Sequence, residues 1–219
     1  MRKSVVISGG PFISDDAAVI ISDFEPEVIY CADSGADFAL NHNIRPTRVF
    51  GDMDSVSAEG RVLIEKLNIP ITVYPVEKDK SDTEICLREL SDEDEILLIC
   101  SMSGRVDHLW TNLNLISKLH SEGYSVTATD GVTDVIPMRD GETVSLGGII
   151  GASKLSISLI PLTPEVKGVS ISGVKYPLSD ATLKFGDSYS HGNSLAEGSD
   201  SFSVSIGEGL LSIVITPTD

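Results

Sequence analysis

Residues 95–121 have the sequence EILLICSMSGRVDHLWTNLNLISKLHS. The continuous apolar run at 95–100 predicts a buried strand, and Gly104 permits a tight turn after it. Apolar residues then recur with helical spacing, which predicts a helix over 107–121. One face of this helix carries Leu109, Leu113, Ile116 and Leu119. A buried strand that feeds an amphipathic helix is the repeating unit of parallel α/β sheets.

The same alternation of strand and helix patterns extends over about the first 130 residues. Further apolar runs predict strands at 4–8, 28–32, 48–50, 71–75 and 124–129. Helical patterns between them predict helices at 34–42, 57–67 and 82–90. Near-continuous apolar strands linked by helices indicate a Rossmann-like parallel sheet with helices on both faces.

The character of the chain changes after residue 131, where turn residues become frequent and no long helical pattern remains. Short strand patterns recur at 134–138, 142–146, 154–160, 167–172, 181–185, 201–206 and 210–215. This spacing is typical of a β-sandwich or barrel-like domain. We therefore expect an α/β domain over 1–130 followed by an all-β domain over 131–219, with the boundary near Asp130–Gly131.

Three aspartate clusters follow predicted strands: GDMDS at 51–55, EKDKSD at 77–82 and GRVDH at 104–108. Strand ends line the ligand crevice of an α/β fold. Carboxylates that converge there would repel one another unless a cation lay between them. Mg²⁺ prefers oxygen ligands and commonly binds together with phosphate. The clusters therefore predict a metal–phosphate site, although neither a Walker loop nor a dinucleotide fingerprint is present.

Each cluster also has a simpler interpretation. In the first, Asp54, Ser55 or Ser57 could cap the next helix instead of holding metal with Asp52. In the second, a self-neutralising solvated loop is as good an interpretation as phosphate binding by Lys78.

The third cluster is harder to explain structurally. Arg105 is suited to forked binding of phosphate oxygens, and Asp107 adds a fifth carboxylate. His108 could contact phosphate or orient Asp107, and Asn112 lies one turn further along the same helix face. A capping or buried hydrogen-bonded histidine is the simpler interpretation of His108.

The chain has 219 residues and a formal net charge of -17. This charge would repel nucleic-acid phosphates and excludes nucleic acid as a partner. It would also repel free nucleotide, so we expect ATP to enter as its magnesium complex. The cysteines lie in apolar or helical patterns and are interpreted as small buried residues rather than ligands: Cys31, Cys86 and Cys100.

The apolar run at the N-terminus is too short for a signal peptide, and no stretch approaches a membrane helix in length. We therefore expect a soluble cytoplasmic protein without a membrane partner. The acidic run at 91–95 is interpreted as a solvated turn.

The three aspartate motifs, in this order and with this spacing, resemble those of the thiamine pyrophosphokinases. ADSGA at 32–36 is similar to the family's acidic, glycine-rich stretch after the second strand. The likeness continues in GVS at 168–170, GVKYPL at 173–178, SYSHGN at 188–193 and GLLSI at 209–213. It thus covers nearly the whole chain.

The resemblance implies transfer of a diphosphate from ATP to the hydroxyethyl group of thiamine, giving thiamine diphosphate and AMP. It implies a homodimer with the active site at the subunit interface and Mg²⁺ as the cofactor. The implied catalytic residues are Asp52, Asp54, Asp79, Asp82, Asp107 and Arg105, and the implied metal ligands are Asp52, Asp54, Asp79 and Asp107. Either Asp54 or Asp79 is expected to take the proton of the attacking hydroxyl.

The implied contacts to ATP come from Lys78, Arg105, His108 and Asn112, and those to thiamine from Ser170, Ser190 and Asn193. Some members stack an aromatic residue on thiamine near this last region. Here the only tryptophan is Trp110, so Tyr189 or His191 is expected to take that place.

Three other functions are open. A related diphosphokinase acting on another heterocyclic alcohol, such as a hydroxymethylpterin, would share the mechanism and differ in the acceptor. A non-catalytic module that senses nucleotide or thiamine would be expected to lack a required carboxylate. A metal-binding structural protein would leave Arg105 and the β domain without a role.

Overall fold

The computed structural model describes residues 1–74, 79–148 and 155–218. The chain divides into two compact units. The α/β unit comprises Met1–Ile116 and Gly123–Val132, and the β unit comprises Ser117–Glu122 and Thr133–Asp219. No helix in the described ranges is long and apolar enough to cross a membrane.

The α/β unit is a sheet of parallel strands connected by helices. Its strands are β1 (Lys3–Ser8), β2 (Val28–Ala32), β3 (Arg48–Gly51), β4 (Ile71–Val73), β5 (Glu95–Ile99) and β6 (Ser125–Thr129). The helices of this part of the chain are α1 (Asp16–Phe24), α2 (Gly35–Asn41), α3 (Ala58–Lys66), α4 (Asp82–Arg88) and α5 (Val106–Ser121). The strands lie in the order β4-β3-β2-β1-β5-β6, and their pairing is parallel.

Four of the five helices were predicted from apolar spacing, whereas α1 was not. Its sequence, DAAVIISDF, contains three consecutive β-branched residues, which favour strands. The helix forms because Ala17 and Ile21, four residues apart, are both buried in the core. Tertiary burial thus overrides local preference here. The last residue of the strand predicted at 71–75 lies outside the described residues, as does the first of that predicted at 154–160.

The strand register brings the carboxyl ends of the central strands to one edge of the sheet. Ser8 is level with Ala32, and Ala32 is level with Phe50. Ile99 is level with Ile7 on the other side of β1. Residues that follow these strands therefore collect at a single edge, as an open α/β sheet requires of its ligand crevice.

The β unit is antiparallel. Its strands are β7 (Asp134–Met138), β8 (Thr143–Leu146), β9 (Leu155–Pro161), β10 (Glu165–Ser172), β11 (Leu178–Lys184), β12 (Phe202–Ser205) and β13 (Leu211–Pro217). Strand β13 pairs with both β7 and β9, while β11, β10, β12 and β8 form a second sheet in that order. Buried side chains from both groups of strands share one core, as in a sandwich. The predicted fold class is confirmed.

The acidic turn at 91–95 is not fully solvated, which corrects the interpretation made from its charge. Asp94 is buried, with 3% of its surface exposed. Its carboxylate accepts hydrogen bonds from Arg2 Nε (3.0 Å) and Nη2 (2.6 Å) and from Ser4 Oγ (3.0 Å). Burial alone would raise the pKa of Asp94, but these hydrogen bonds outweigh it and the pKa is lowered.

Replacing Asp94 with asparagine is expected to lower the free energy of unfolding by about 2 kcal/mol, because the charge-assisted bonds from Arg2 are lost. Since the folded pKa of Asp94 lies below its ordinary value, its contribution is present at neutral pH. It is lost as the pH falls through that lowered pKa. Denaturant unfolding at pH 7 measures the loss. The control is Asp92→Asn, which removes an exposed carboxylate from the same turn; equal effects of the two changes would contradict the prediction.

Candidate active site

Three aspartates meet at the carboxyl ends of β2 and β3. Asp33, Asp52 and Asp54 each offer a carboxylate oxygen, and these oxygens lie within 4.8 Å of one another. Asp33 directly follows β2, and Asp52 and Asp54 belong to the GDMDS loop after β3. Asp33 was absent from the predicted metal ligands, although the ADSGA motif that contains it had been singled out.

The backbone around the cluster is held by hydrogen bonds to the carboxylates. Asp33 Oδ1 accepts from the Met53 N–H (3.2 Å), and Asp52 Oδ1 accepts from the Asp54 N–H (3.0 Å). Asp33 and Met53 both have positive φ, +41° and +68°. Such values are uncommon for residues with a side chain and cost free energy. The loop is thus held in a conformation that its own local preferences do not favour.

The surroundings of Gly51 explain why the GDMDS loop begins with glycine. Its φ is +138°, and a Cβ at this position would overlap the Asp33 carboxylate. The missing side chain leaves the space that Asp33 occupies, so the glycine of GDMDS and the aspartate of ADSGA depend on each other. This close approach, together with the hydrogen bond from Met53 to Asp33, brings the ADSGA and GDMDS motifs into contact.

Asp33 has a strongly perturbed carboxyl group. Burial raises its pKa to about 6, and the negative charge of Asp82, a hydrogen bond with Asp82 and the charge of Asp52 add to the rise, against the opposing Met53 hydrogen bond. A raised pKa in a group of converging carboxylates is expected where a cation belongs.

The donor set fits a hard divalent cation. Three carboxylate oxygens within one small volume are the ligands that Mg²⁺ or Mn²⁺ prefers. The cluster holds neither histidine nor cysteine, which zinc would favour.

A cleft of about 490 Å³ adjoins the cluster within the α/β unit, and Asp33 lines it as well. Asp82, at the start of α4, also lines the cleft. Side chains from the α5 region contribute Arg105, Asp107, His108, Thr111 and Asn112. The cleft thus joins residues from the predicted second and third clusters to the acidic group.

The floor of the cleft is built from small polar groups. Ser8 and Thr83 are buried, and their hydroxyls are hydrogen-bonded to each other (2.8 Å). Gly10 lies so close to Ser101 that a Cβ there would come within 2.7 Å of the serine Cβ. The glycines after β1 therefore serve close packing of the cleft wall.

Arg105 and Asp107 form an ion pair at the exposed part of the cleft. Arg105 Nη2 lies 2.6 Å from Asp107 Oδ2, and their side chains are 70% and 65% exposed. The hydrogen bond from Arg105 lowers the pKa of Asp107 below its ordinary value. Asp107 is therefore paired with arginine and lies outside the three-aspartate group, and its metal role stays a prediction.

Two further predicted site residues, Asp79 and Lys78, belong to the second cluster. Asp79 is exposed and lies outside both the acidic group and the residues that line the cleft, while Lys78 lies outside the described residues. The roles assigned to these two residues stay predictions.

The β unit contains its own cavity of about 460 Å³. Its lining includes the aromatic side chains of Tyr176 and Tyr189, which are 63% and 69% exposed, together with His191. The Lys175 ammonium lies 5.3 Å from the centre of the Tyr176 ring, a cation–π distance. An aromatic-lined cavity of this size is suited to a flat heterocycle.

Two of the three predicted thiamine contacts line this cavity. Ser190 Oγ donates to the Leu159 carbonyl (2.6 Å). Asn193 accepts from the Tyr176 N–H (3.1 Å) and donates to the Tyr176 carbonyl (2.8 Å). Ser170 does not line the cavity, and its hydroxyl accepts from the Asp180 N–H (3.0 Å). Direct contact of any of the three with thiamine stays a prediction.

Gly51→Ala is expected to displace the Asp33 carboxylate and to weaken divalent-cation binding by about tenfold or more. It should also cost roughly 1–3 kcal/mol of stability, because alanine resists this φ. Manganese titration followed by electron paramagnetic resonance measures the affinity. Gly141→Ala is the matched control, since Gly141 also has positive φ (+77°) but open space around it. Unchanged manganese affinity in the Gly51 variant would contradict the dependence of Asp33 on Gly51.

Two family models match the chain. The model of the thiamin pyrophosphokinase catalytic domain matches residues 25–128, and that of the thiamin pyrophosphokinase vitamin B1 binding domain matches residues 140–211. A curated relative, thiamine pyrophosphokinase of Bacillus subtilis (strain 168), is 29% identical over 189 residues, which span 85% of this chain and 86% of the relative.

Solved structures give the same result. Thiamine pyrophosphokinase from Bacillus subtilis matches with a TM-score of 0.84 and 25% identity, covering 100% of both chains. Thiamin pyrophosphokinase from Geobacillus thermodenitrificans matches with a TM-score of 0.79 and 27% identity, covering 100% of this chain and 98% of its own. Since the two family models together match well over half of the sequence, the chain belongs to the thiamine pyrophosphokinase family.

Proposed function

We propose that this protein transfers a diphosphate group from ATP to the hydroxyl of thiamine, giving thiamine diphosphate and AMP. The observation that carries the proposal is the group formed by Asp33, Asp52 and Asp54 beside a cleft that also contains Arg105. Membership of the family supplies the identity of the acceptor. The α/β part, 1–130, would bind ATP, and the β part, 131–219, would supply the thiamine pocket and the dimer contacts.

Asp33, Asp52 and Asp54 would hold Mg²⁺, with Asp79 and Asp107 as further proposed ligands. When bound, the ion would neutralise phosphate charge, which is the main requirement of phosphoryl-type transfer. The aspartates would fix its position, because the Met53 N–H holds the Asp33 carboxylate in the space that Gly51 leaves open.

Arg105 would bind the polyphosphate with its guanidinium group. In the structure this group pairs with Asp107, so phosphate oxygens would have to replace the Asp107 carboxylate or share the guanidinium group with it. Lys78, His108 and Asn112 are the other proposed contacts to ATP. The general base would be Asp54 or Asp79, of which Asp54 lies in the carboxylate group.

Thiamine would bind in the cavity of the β unit. A tyrosine face can stack on a heterocycle and attracts a cationic ring. Lys175 already lies over the Tyr176 ring, so Tyr189 is the aromatic side chain better suited to the cationic ring. The proposal includes a homodimer with its active site at the subunit interface and a cytoplasmic location.

An assay of AMP release with magnesium ATP tests the reaction. We expect AMP to form with thiamine and not with a hydroxymethylpterin or without acceptor. AMP with the pterin alone would keep the phosphate chemistry and change the acceptor. No AMP with either acceptor, despite ATP binding, would contradict an enzyme and favour a sensing module.

Asp33→Asn is expected to weaken metal binding while stabilising the metal-free protein above pH 6. Between the ordinary pKa of 3.8 and the folded pKa of about 6, the folded state keeps a proton that the unfolded state has released. The wild type therefore loses stability as the pH rises from 3.8 through about 6, and above that pH the folded state carries the unfavourable charge that the variant lacks.

Thermal unfolding with EDTA at pH 4 and pH 8 measures this difference, and manganese binding measures the metal affinity. Asp23→Asn is the control, since Asp23 is exposed in α1 and does not belong to the carboxylate group. Parallel profiles of stability against pH for wild type and Asp33→Asn would contradict the raised pKa of Asp33.

A further inference from the structure

Asn112 is the exception among the buried polar side chains. The described residues include ten buried polar or charged side chains, nine of which have a hydrogen-bond partner in the structure. These nine are Ser4, Ser8, Thr83, Asp94, Ser101, Ser117, Thr129, Ser158 and Ser212. Asn112 is 9% exposed, and its carboxamide has no partner within the described part of the chain. A buried amide left without a partner costs free energy, so its retention needs a reason.

The Asn112 carboxamide faces the cleft. No polar side-chain atom fully shielded from solvent lacks a partner in the described part of the chain. Both amide atoms of Asn112 must therefore be partly exposed. Since Asn112 lines the cleft, these atoms open into it.

The surroundings of Asn112 indicate what kind of group it would bind. The neighbouring floor is neutral and already satisfied, because Ser8 pairs with Thr83 and Ser101 donates to the Ser103 carbonyl (3.0 Å). Arg105 is the one arginine or lysine among the described residues that line the cleft, and its side chain is 70% exposed. A phosphate at a buried neutral floor would lack the positive charge that it requires. A carboxamide instead offers one donor and one acceptor side by side, as in its paired contacts to adenine.

We propose that Asn112 is a specificity-determining residue that binds a heterocycle through an amino group and an adjacent ring nitrogen. This inference rests on the proposed function, whose two substrates both carry such an edge: the adenine of ATP and the aminopyrimidine of thiamine. The carboxamide would donate to the ring nitrogen and accept from the amino group. The ligand would set its orientation, because none of the described residues provides a partner to fix it.

Asn112→Leu is the variant that separates this role from a structural one. Leucine is of similar size and removes an unpartnered polar group, so the thermal unfolding midpoint is expected to stay the same or to rise. The KM for one substrate is expected to rise by about 5- to 20-fold, with little change in kcat, because ground-state and transition-state binding are lost equally. Asn114→Leu on the exposed part of the same helix is the control.

Substrate analogues identify the source of the edge. Purine riboside triphosphate lacks the amino group of ATP, and oxythiamine carries oxygen in place of the amino group of thiamine. Wild type is expected to discriminate against one analogue, and Asn112→Leu is expected to lose that discrimination. The substrate and analogue between which Asn112→Leu no longer discriminates identify the ligand of Asn112.

The inference would be overturned if the KM values of Asn112→Leu for both substrates were unchanged. It would also be overturned if the unfolding midpoint fell while both KM values stayed within twofold of wild type. If wild type released no AMP, the proposed function would fail, and equilibrium dialysis of ATP and of thiamine against wild type and Asn112→Leu would still decide the binding role. Equal dialysis constants would overturn it. Asn112→Ala provides a second variant if leucine prevents folding.

Discussion

Repulsion among carboxylates at the sheet edge is the constraint on which the site depends. Parallel pairing aligns the carboxyl ends of β1, β2 and β3, so that Asp33 follows one strand and Asp52 follows its neighbour. In a chain with a net charge of -17, no general excess of positive charge relieves this repulsion. The structure answers it locally, by keeping the pKa of Asp33 near 6 through burial and contact with Asp82. The free protein thus stores unfavourable electrostatic energy that a divalent cation would release.

The same constraint explains the backbone of the site. Gly51 has no side chain, and Met53 takes a left-handed conformation that lets its N–H reach Asp33. A glycine at position 51 and the positive φ of Met53 would both be unfavourable in an isolated loop. They are explained by the Asp33 carboxylate, which occupies the space beside Gly51 and accepts the hydrogen bond from Met53. Sites built for ligands commonly carry such local strain, because the surrounding fold holds it in place. The core beneath β2 and β3, with Cys31 and Val49 fully buried, provides that support.

Sequence reasoning recovered the parts that follow from periodicity. The strands, four of the helices of the α/β unit and the all-β second half were predicted, because buried faces impose regular spacing. Helix α1 was missed because its β-branched run obscured a helix stabilised by tertiary burial. Asp94 was misinterpreted because charge patterns say nothing about Arg2, which is 92 residues away in sequence. The place of Asp33 in the carboxylate group was likewise missed, since only the fold brings it beside Asp52.

Two asparagines differ in their hydrogen bonds, and the sequence alone does not reveal this difference. Both Asn112 and Asn193 were predicted to contact substrate. In the structure, Asn193 uses its carboxamide to accept from and donate to the backbone of Tyr176, and so holds an aromatic wall of the β-unit cavity. Asn112 is more deeply buried and makes no such bond among the described residues. The structure thus gives Asn193 a clear role in support of that wall. Because an amide with little solvent access is costly to leave unpaired, the carboxamide of Asn112 is the better suited of the two to bind a ligand in the cleft.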